Sequence, residues 1–239
     1  MDLKDLISIS EAASILGVSM DTLRRWDKSG KLSSIKTAGG HRKYSRDQLE
    51  IFLNDLYKLS KNWVSKEIEL PPDLYCSNSA VFQTRLTKMQ DLLGEVKDLA
   101  FIFPLIVAVT GEIGNNSFDH NLGSWPDVPG IFFGYDLNKK VIVLADRGLG
   151  VLATLKRVKS ELNTDAEALK VAFTEIISGR APENRGNGLK FVRKVVSENS
   201  IGLLFQTGNA ELILEKDSDI LDIKEVSGNL RGCLVLITF

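Results

Sequence analysis

The chain reads as two unequal units. A small, mainly α-helical unit with a two-stranded wing comes first. A larger α/β two-layer sandwich follows, with helices against a mixed, mostly antiparallel sheet. Three observations predict this. Apolar residues at helical spacing, punctuated by caps and glycines, fill residues 7–59. Lysine and arginine crowd one part of that segment. From about Phe82 onward, helical patterns alternate with short apolar runs that end at glycine turns. A length of 239 residues suits one large domain or two unequal ones. The boundaries read as 1–59, a connection over 60–81, and 82–239.

Composition excludes several classes. At 44% hydrophobic and 26% charged residues, the chain can bury a core and is not a disordered polymer. Its two cysteines, Cys76 and Cys233, lie far apart with no metal-ligand neighbours in sequence. That argues against a disulfide framework and for a reducing, cytoplasmic setting. The start, MDLKDLISIS, lacks the apolar stretch of a signal peptide. The longest apolar run, Leu99 to Val109, is interrupted by Pro104 and is too short to cross a bilayer, so no membrane partner is expected.

In the first unit, Ser10 is a candidate cap for a helix carrying Ala12, Ala13, Ile15 and Leu16, and Gly17 ends it. Ser19 caps a second helix that turns Leu23 and Trp26 inward and Thr22, Arg24 and Arg25 elsewhere. Gly39-Gly40 signals a hairpin, the wing. Ser45 opens a third helix with Leu49, Phe52, Leu53 and Leu56 on one face. Between Thr22 and Arg46 stand eight cationic side chains and one anion, Asp27, in a chain whose net charge is −1. A helix fits the major groove, where arginine reads guanine edges, and cations on a wing suit phosphates.

Charge alone would also fit a solvated basic face. The ordered set GVS, TLRRW, GK and GGHRKYS is more specific. Over roughly residues 7–55 it resembles the MerR-like, excisionase-type winged helix-turn-helix family. The resemblance implies binding of double-stranded DNA by Thr22, Arg24 and Arg25 on the recognition helix and by Arg42, Lys43 and Tyr44 at the wing. Such modules usually read paired half-sites, which leaves a homodimer open.

The connection contains Pro71-Pro72 and a Ser/Asn cluster, yet Trp63, Val64, Ile68 and Leu70 are too apolar for a free tether. Part of it is expected to pack on one of the units. Beyond it, FQTRLTKMQDLLGEV reads as a helix closed by Gly94. Pro104 suits the first turn of the next helix, which runs to about Leu122. On that helix Glu112, Asn116 and His120 lie close to one face, with Asn115 and Asp119 in a neighbouring row, while Leu105, Ile106, Val109 and Ile113 face inward. PGIFFGYDL and KKVIVLADRG read as strands joined at residues 137–139, the second ending in DRGLG with Asp146, Gly148 and Gly150. Thr164 caps a helix whose apolar side is Ala168, Leu169, Ala172, Phe173 and Ile176. ENRGNGLKFVRKVV places Gly186, Asn187 and Gly188 at the opening of another helix. Three last strands follow, the first two joined by a tight turn at Gly208-Asn209.

A lone glycine pair is a weak signal. The order is what counts: Glu-x3-Asn on a helix, strand-DxGxG, a variable segment, then GxG at a helix start. Over roughly residues 82–239 this resembles the GHKL superfamily of Bergerat-type ATP-binding domains, which includes gyrase-type ATPases, histidine kinases and anti-sigma kinases. The resemblance implies ATP with Mg2+ as ligands. Asn116 would hold the magnesium, which needs few protein oxygens. Asp146 would accept from the adenine amino group, and Gly148 and Gly150 would admit the nucleotide. Gly186, Asn187 and Gly188 would present N–H groups to phosphate. Glu112 matches the general base of the catalytic branches. Asp119 resembles the gyrase and Hsp90 pattern and His120 the anti-sigma and kinase pattern, so the helix does not choose a branch. Neither histidine is placed as a phosphoacceptor, which disfavours a sensor kinase. Arg147, Arg180 and Arg185 read as surface arginines.

Three functions follow as expectations. The first is a DNA-binding transcription regulator whose ATP–Mg2+ occupancy switches DNA or partner binding. The second is an ATPase or protein serine kinase using Glu112. The third is an antitoxin-like or anti-sigma-like protein that grips a protein partner and also represses transcription.

Overall fold

The computed structural model describes residues 6–16, 19–30, 32–37, 39–46, 48–49, 56–65, 70–176 and 188–239. In the first unit β1 (Leu6–Ser8) leads into α1 (Ile9–Leu16), α2 (Met20–Lys28), β2 (Ile35–Lys36) and β3 (Arg42–Ser45). The wing turns as expected: Gly40 takes φ 75°, Thr37 N donates to His41 O at 3.0 Å, and His41 N donates to Thr37 Oγ1 at 3.2 Å. It gains a third strand, in the order β1-β3-β2, because Leu6, Ile7 and Ser8 pair with Ser45, Tyr44 and Lys43. The cap of α1 is Ser8 and not Ser10. Ser8 Oγ accepts from Glu11 N at 3.2 Å, and the Glu11 carboxylate accepts from Ser8 N at 2.9 Å. This is a capping box, whose Ser-x-x-Glu spacing only Ser8 satisfies. The expected break at Gly17 and the middle of the third helix, including Phe52 and Leu53, lie outside the described residues; Leu49 is buried in the small core with Leu23 and Tyr44, whereas Leu56 packs on the sheet of the second unit.

The second unit is built on one sheet. Its strands are β4 (Tyr75–Cys76), β5 (Ile131–Asp136), β6 (Val141–Asp146), β7 (Gly202–Leu214) and β8 (Asp222–Thr238), in the order β4-β5-β6-β8-β7. Every described pairing is antiparallel. Strand residues alternate between faces. Ile131, Phe133, Ile142 and Leu144 therefore pack with the helices α4 (Ser79–Gly94), α5 (Phe103–Asn121), α7 (Asp165–Thr174) and α8 (Gly188–Ser197). The intervening Phe132, Val143 and Ala145 pack on the other face against Trp63 and Val64 of α3 (Leu56–Ser65). This explains why IFFGYD and VIVLAD are apolar without a break: both sides of the sheet are covered. The segment read as a connection thus supplies β4 and, from Ser60 on, the second part of α3. A short helix, α6 (Gly150–Leu155), follows directly on the DRGLG turn.

Two expectations are corrected. The Gly208-Asn209 pair makes no hairpin. β7 runs through it as one strand with a bulge, and the strand reverses over 215–221. Gly208 does take the positive φ, 55°, that a turn would use. The Asp165 carboxylate captures Asn209 N at 3.1 Å and so holds the bulge. Ile176 is 75% exposed and lies beyond the end of α7, not on its apolar face. The Thr164 cap holds, as a full capping box with Glu167. Among the described residues no helix is long and apolar enough to cross a membrane.

Gly114 fixes how close α5 can approach α4. A Cβ there would lie 2.2 Å from the Phe82 ring, itself wholly buried. Helix propensity favours Gly114→Ala by about 1 kcal/mol, but the crowding outweighs it. We expect a net loss of about 1–3 kcal/mol, read from the urea midpoint.

Candidate nucleotide pocket and nucleic-acid face

Asp146 ends β6. By alternation it follows Ile142 and Leu144 onto the helix-covered face, where α5 passes. It is 2% exposed. Ser117 Oγ donates to its Oδ2 at 2.8 Å and Gly148 N donates to its Oδ1 at 2.9 Å. Burial pushes its pKa up to about 6, against the partial offset of those hydrogen bonds and one from the Cys233 backbone. Ser117, Gly148 and the Cys233 backbone fill three of the four acceptor positions of the carboxylate and leave one for a donor on a ligand.

The rest of DRGLG is stapled down by residues that sequence reading did not single out. Asn121, buried at the end of α5, accepts from Leu149 N at 2.8 Å and donates to Ser117 O at 2.8 Å. A Cβ at Gly148 would fall 2.2 Å from that amide, so the turn and the helix end meet only because position 148 is glycine. Gly150 takes φ 79°. Thr207 Oγ1 accepts from Val151 N at 3.2 Å and donates to Gly232 O at 2.8 Å. Cys233 stands opposite Asp146 in the β6–β8 register. Burial raises its thiol well above the ordinary range, and the nearby Asp146 charge adds to this, so it stays a neutral thiol. These contacts span dozens of residues in sequence, which is why no local pattern announces them. A hollow of about 500 Å3 borders the turn, edged by Gly148, Gly150, Asp165, Thr207, Arg231 and Gly232. Glu112, Asn116, Asp146 and Gly188 are not among the residues that line it.

One turn back on α5, Asn116 Nδ2 donates to Glu112 Oε1 at 3.2 Å, both side chains half-buried. Gly188, the first residue of α8, lies against the same carboxylate: a Cβ there would fall 1.8 Å from Glu112 Oε1. Ser117, next to Asn116, joins this pair to Asp146. The structure therefore brings Glu112, Asn116, Asp146, Gly148, Gly150 and Gly188 along one wall. Asp119 and His120 sit on the last turn of α5, the first exposed and the second half-buried. Asn115 accepts from Gln83 at 2.7 Å. Gly186 and Asn187 lie outside the described residues, as do Arg180 and Arg185. Among the described residues no group of three or more His, Cys, Asp or Glu is placed to hold a metal ion. Asn116 carries the kind of oxygen a hard cation takes: its Nδ2 is committed to Glu112, and its Oδ1 is an acceptor.

Arg147 is not the surface residue its sequence suggested. It is 5% exposed, paired with Asp127 at 2.5 Å, and donates to the Trp63 carbonyl at 3.2 Å. Burial opposes the Asp127 charge, but the Val128 N–H, Arg147 and Arg231 outweigh it and hold that carboxyl below its ordinary range.

On the small unit Arg24 and Arg25 are exposed on α2, and Lys43 is half-exposed on the wing. The side chain of Thr22 lies outside the described residues. Tyr44 is wholly buried and its hydroxyl donates to Leu23 O at 3.3 Å, so it is a core residue and not a DNA contact. Alternation along β3 explains this: Lys43 and Tyr44 face opposite ways. Arg42 Nε bonds Asp27 Oδ2 at 2.6 Å and locks the wing to α2. Burial works against the Asp27 charge, yet Arg42 and Ser34 lower its pKa.

Residues 8–44 match the family described as MerR family regulatory protein. A type II methyltransferase of Escherichia coli, M.Eco47II, is 44% identical over 62 residues, which are 26% of this chain. The chain spans only 15% of that relative's length. The topoisomerase IV ATP-binding domain of Francisella tularensis, solved with a small-molecule inhibitor, aligns with 55% of this chain and 35% of its own at 16% identity. Its TM-score is 0.34, too shallow an overlap to carry an argument. Together with the geometry of α1, α2 and the wing, the family match makes the N-terminal unit a MerR-type helix-turn-helix module.

Proposed function

We propose that the chain is a cytoplasmic DNA-binding regulator whose larger unit binds ATP with Mg2+ in the GHKL manner, and that occupancy changes its affinity for DNA or for a protein partner. The observation that carries the reading is Asp146: a buried, internally hydrogen-bonded carboxylate at a strand end, beside a glycine turn and a helix bearing the Glu112–Asn116 pair. Such a group suits the amino edge of adenine. Gly188 at the start of α8, with Gly186 and Asn187 before it, suits phosphate. Asn116 would hold Mg2+, which would neutralise phosphate charge when bound. Glu112, bound to Asn116 and set against Gly188, acts in this reading as a positioning residue; turnover is not required. The division at 1–59, 60–81 and 82–239 belongs to the same proposal, with α3 straddling the first cut.

DNA binding is supported by the exposed Arg24 and Arg25 on α2 and by Lys43 on the wing; Thr22 joins them on sequence grounds. Arg25→Ala should cost about 1–3 kcal/mol on a preferred duplex and relax its base preference. Lys43→Ala should weaken all duplexes alike and lower the salt slope by about one. The duplex is obtained by selection from a random pool. The switch itself is tested by measuring affinity for that duplex with and without ATP–Mg2+; equal affinities would refute it.

A further inference from the structure

A strand is one residue thick, so neighbours along it reach opposite faces. The pocket and α3 lie on opposite faces of the same sheet. Asp146 at the end of β6 and Thr207 on β7 form the floor of the candidate site, and each has a chain neighbour bonded to α3. Arg147 follows Asp146. It donates to the Trp63 carbonyl at 3.2 Å, lies 5.9 Å over the Trp63 ring, and pairs with Asp127. Gln206 precedes Thr207 and accepts from Tyr57 Oη at 3.1 Å. Tyr57 is in the first turn of α3 and Trp63 in its last, so the helix is held at both ends by neighbours of pocket residues. In sequence, α3 is the first described element after Leu49 of the winged unit.

We infer that α3 is the transmission element of the protein: Arg147 and Gln206 pass changes at the Asp146–Thr207 floor to Trp63 and Tyr57, and so to the winged unit. The inference rests on the nucleotide-binding reading above. A ligand that donates a hydrogen bond to the Asp146 carboxylate acts on the backbone that Arg147 shares. Trp63 and Val64 are each 3% exposed, and a close-packed interface shifts between discrete arrangements and does not stretch. Coupling between two sites requires each ligand to favour one such arrangement.

The test uses the full chain, with Tyr57→Phe and Arg147→Lys. The first removes one hydroxyl. The second keeps a charge for Asp127 but loses the planar fork that reaches the Trp63 carbonyl. ATP–Mg2+ affinity is measured by calorimetry, and duplex affinity with and without ATP–Mg2+ by anisotropy. In the wild type we expect ATP to change duplex affinity roughly 5- to 150-fold. In both variants ATP affinity and ATP-free duplex affinity should stay within about threefold of wild type, while the ATP effect falls to about a third of its value or less. Variants that bind both ligands and keep the full effect would overturn the inference. If Arg147→Lys does not fold, Tyr57→Phe decides alone. A wild type that binds no ATP, or binds it without changing duplex affinity, overturns the underlying reading and this inference with it. The two failures are thus told apart by the wild type.

Discussion

Asp146→Asn should make the ligand-free protein more stable at neutral pH and abolish its stabilisation by ATP. Burial raises the carboxyl's pKa from 3.8 to about 6. Between those values the folded chain holds the proton more readily than the unfolded chain. Stability therefore falls as pH rises through that window, and the ionised carboxylate then costs on the order of 3 kcal/mol. An amide removes that cost but brings a donor of its own, so the expected gain at pH 7–8 is about 1–2 kcal/mol, with a flatter stability profile between pH 4 and 6. The same change leaves one acceptor oxygen, which Gly148 N engages, and turns an NH2 donor toward the adenine amino group. A wild type at about a hundredfold excess of ATP over its Kd gains about 2.7 kcal/mol, and the variant should gain almost none. Thermal unfolding across pH, with and without ATP–Mg2+, reads both. A residue whose removal stabilises the fold and destroys binding is kept for function. If the variant is less stable at pH 8, Asp146 is structural.

Trp63→Ala should cost about 3–5 kcal/mol, read from the urea midpoint of the sheet-bearing unit. Trp63 is 3% exposed and packs with Val64, Phe132, Val143, Ala145 and Leu234, its ring edge-on to Tyr75 at 6.3 Å. Truncation opens a cavity on the back of β5, β6 and β8 and strips the cover from Arg147. A loose connecting segment would tolerate the change at under about 0.5 kcal/mol, so a small effect would show that α3 is not part of the unit's core.

Much of this architecture is legible from local pattern. Thr164 and Glu167 announce their capping box at fixed spacing, Gly39-Gly40 the wing, and Pro104 the start of α5. The polar residues of α5 stand out because they interrupt an apolar helix. What stays hidden depends on partners far away in sequence. Ser117 meets Asp146, Asn121 meets Leu149, and Thr207 meets Gly232 only once the sheet is assembled. Gly208-Asn209 has one local chemistry that serves a turn or a bulge, and Asp165 selects the bulge. Tyr44 looks like its basic neighbours in GGHRKYS, but pairing with β1 and β2 turns it into the core. The apolar content of α3 signalled packing without saying on what. It packs on the face that a two-layer sandwich leaves open.

The most direct test of the central claim is titration of the wild-type chain with ATP in the presence of Mg2+ by calorimetry. One site per chain, with affinity lost in Asp146→Asn, is the predicted result. No binding at millimolar ATP, or binding that survives Asp146→Asn unchanged, would contradict it.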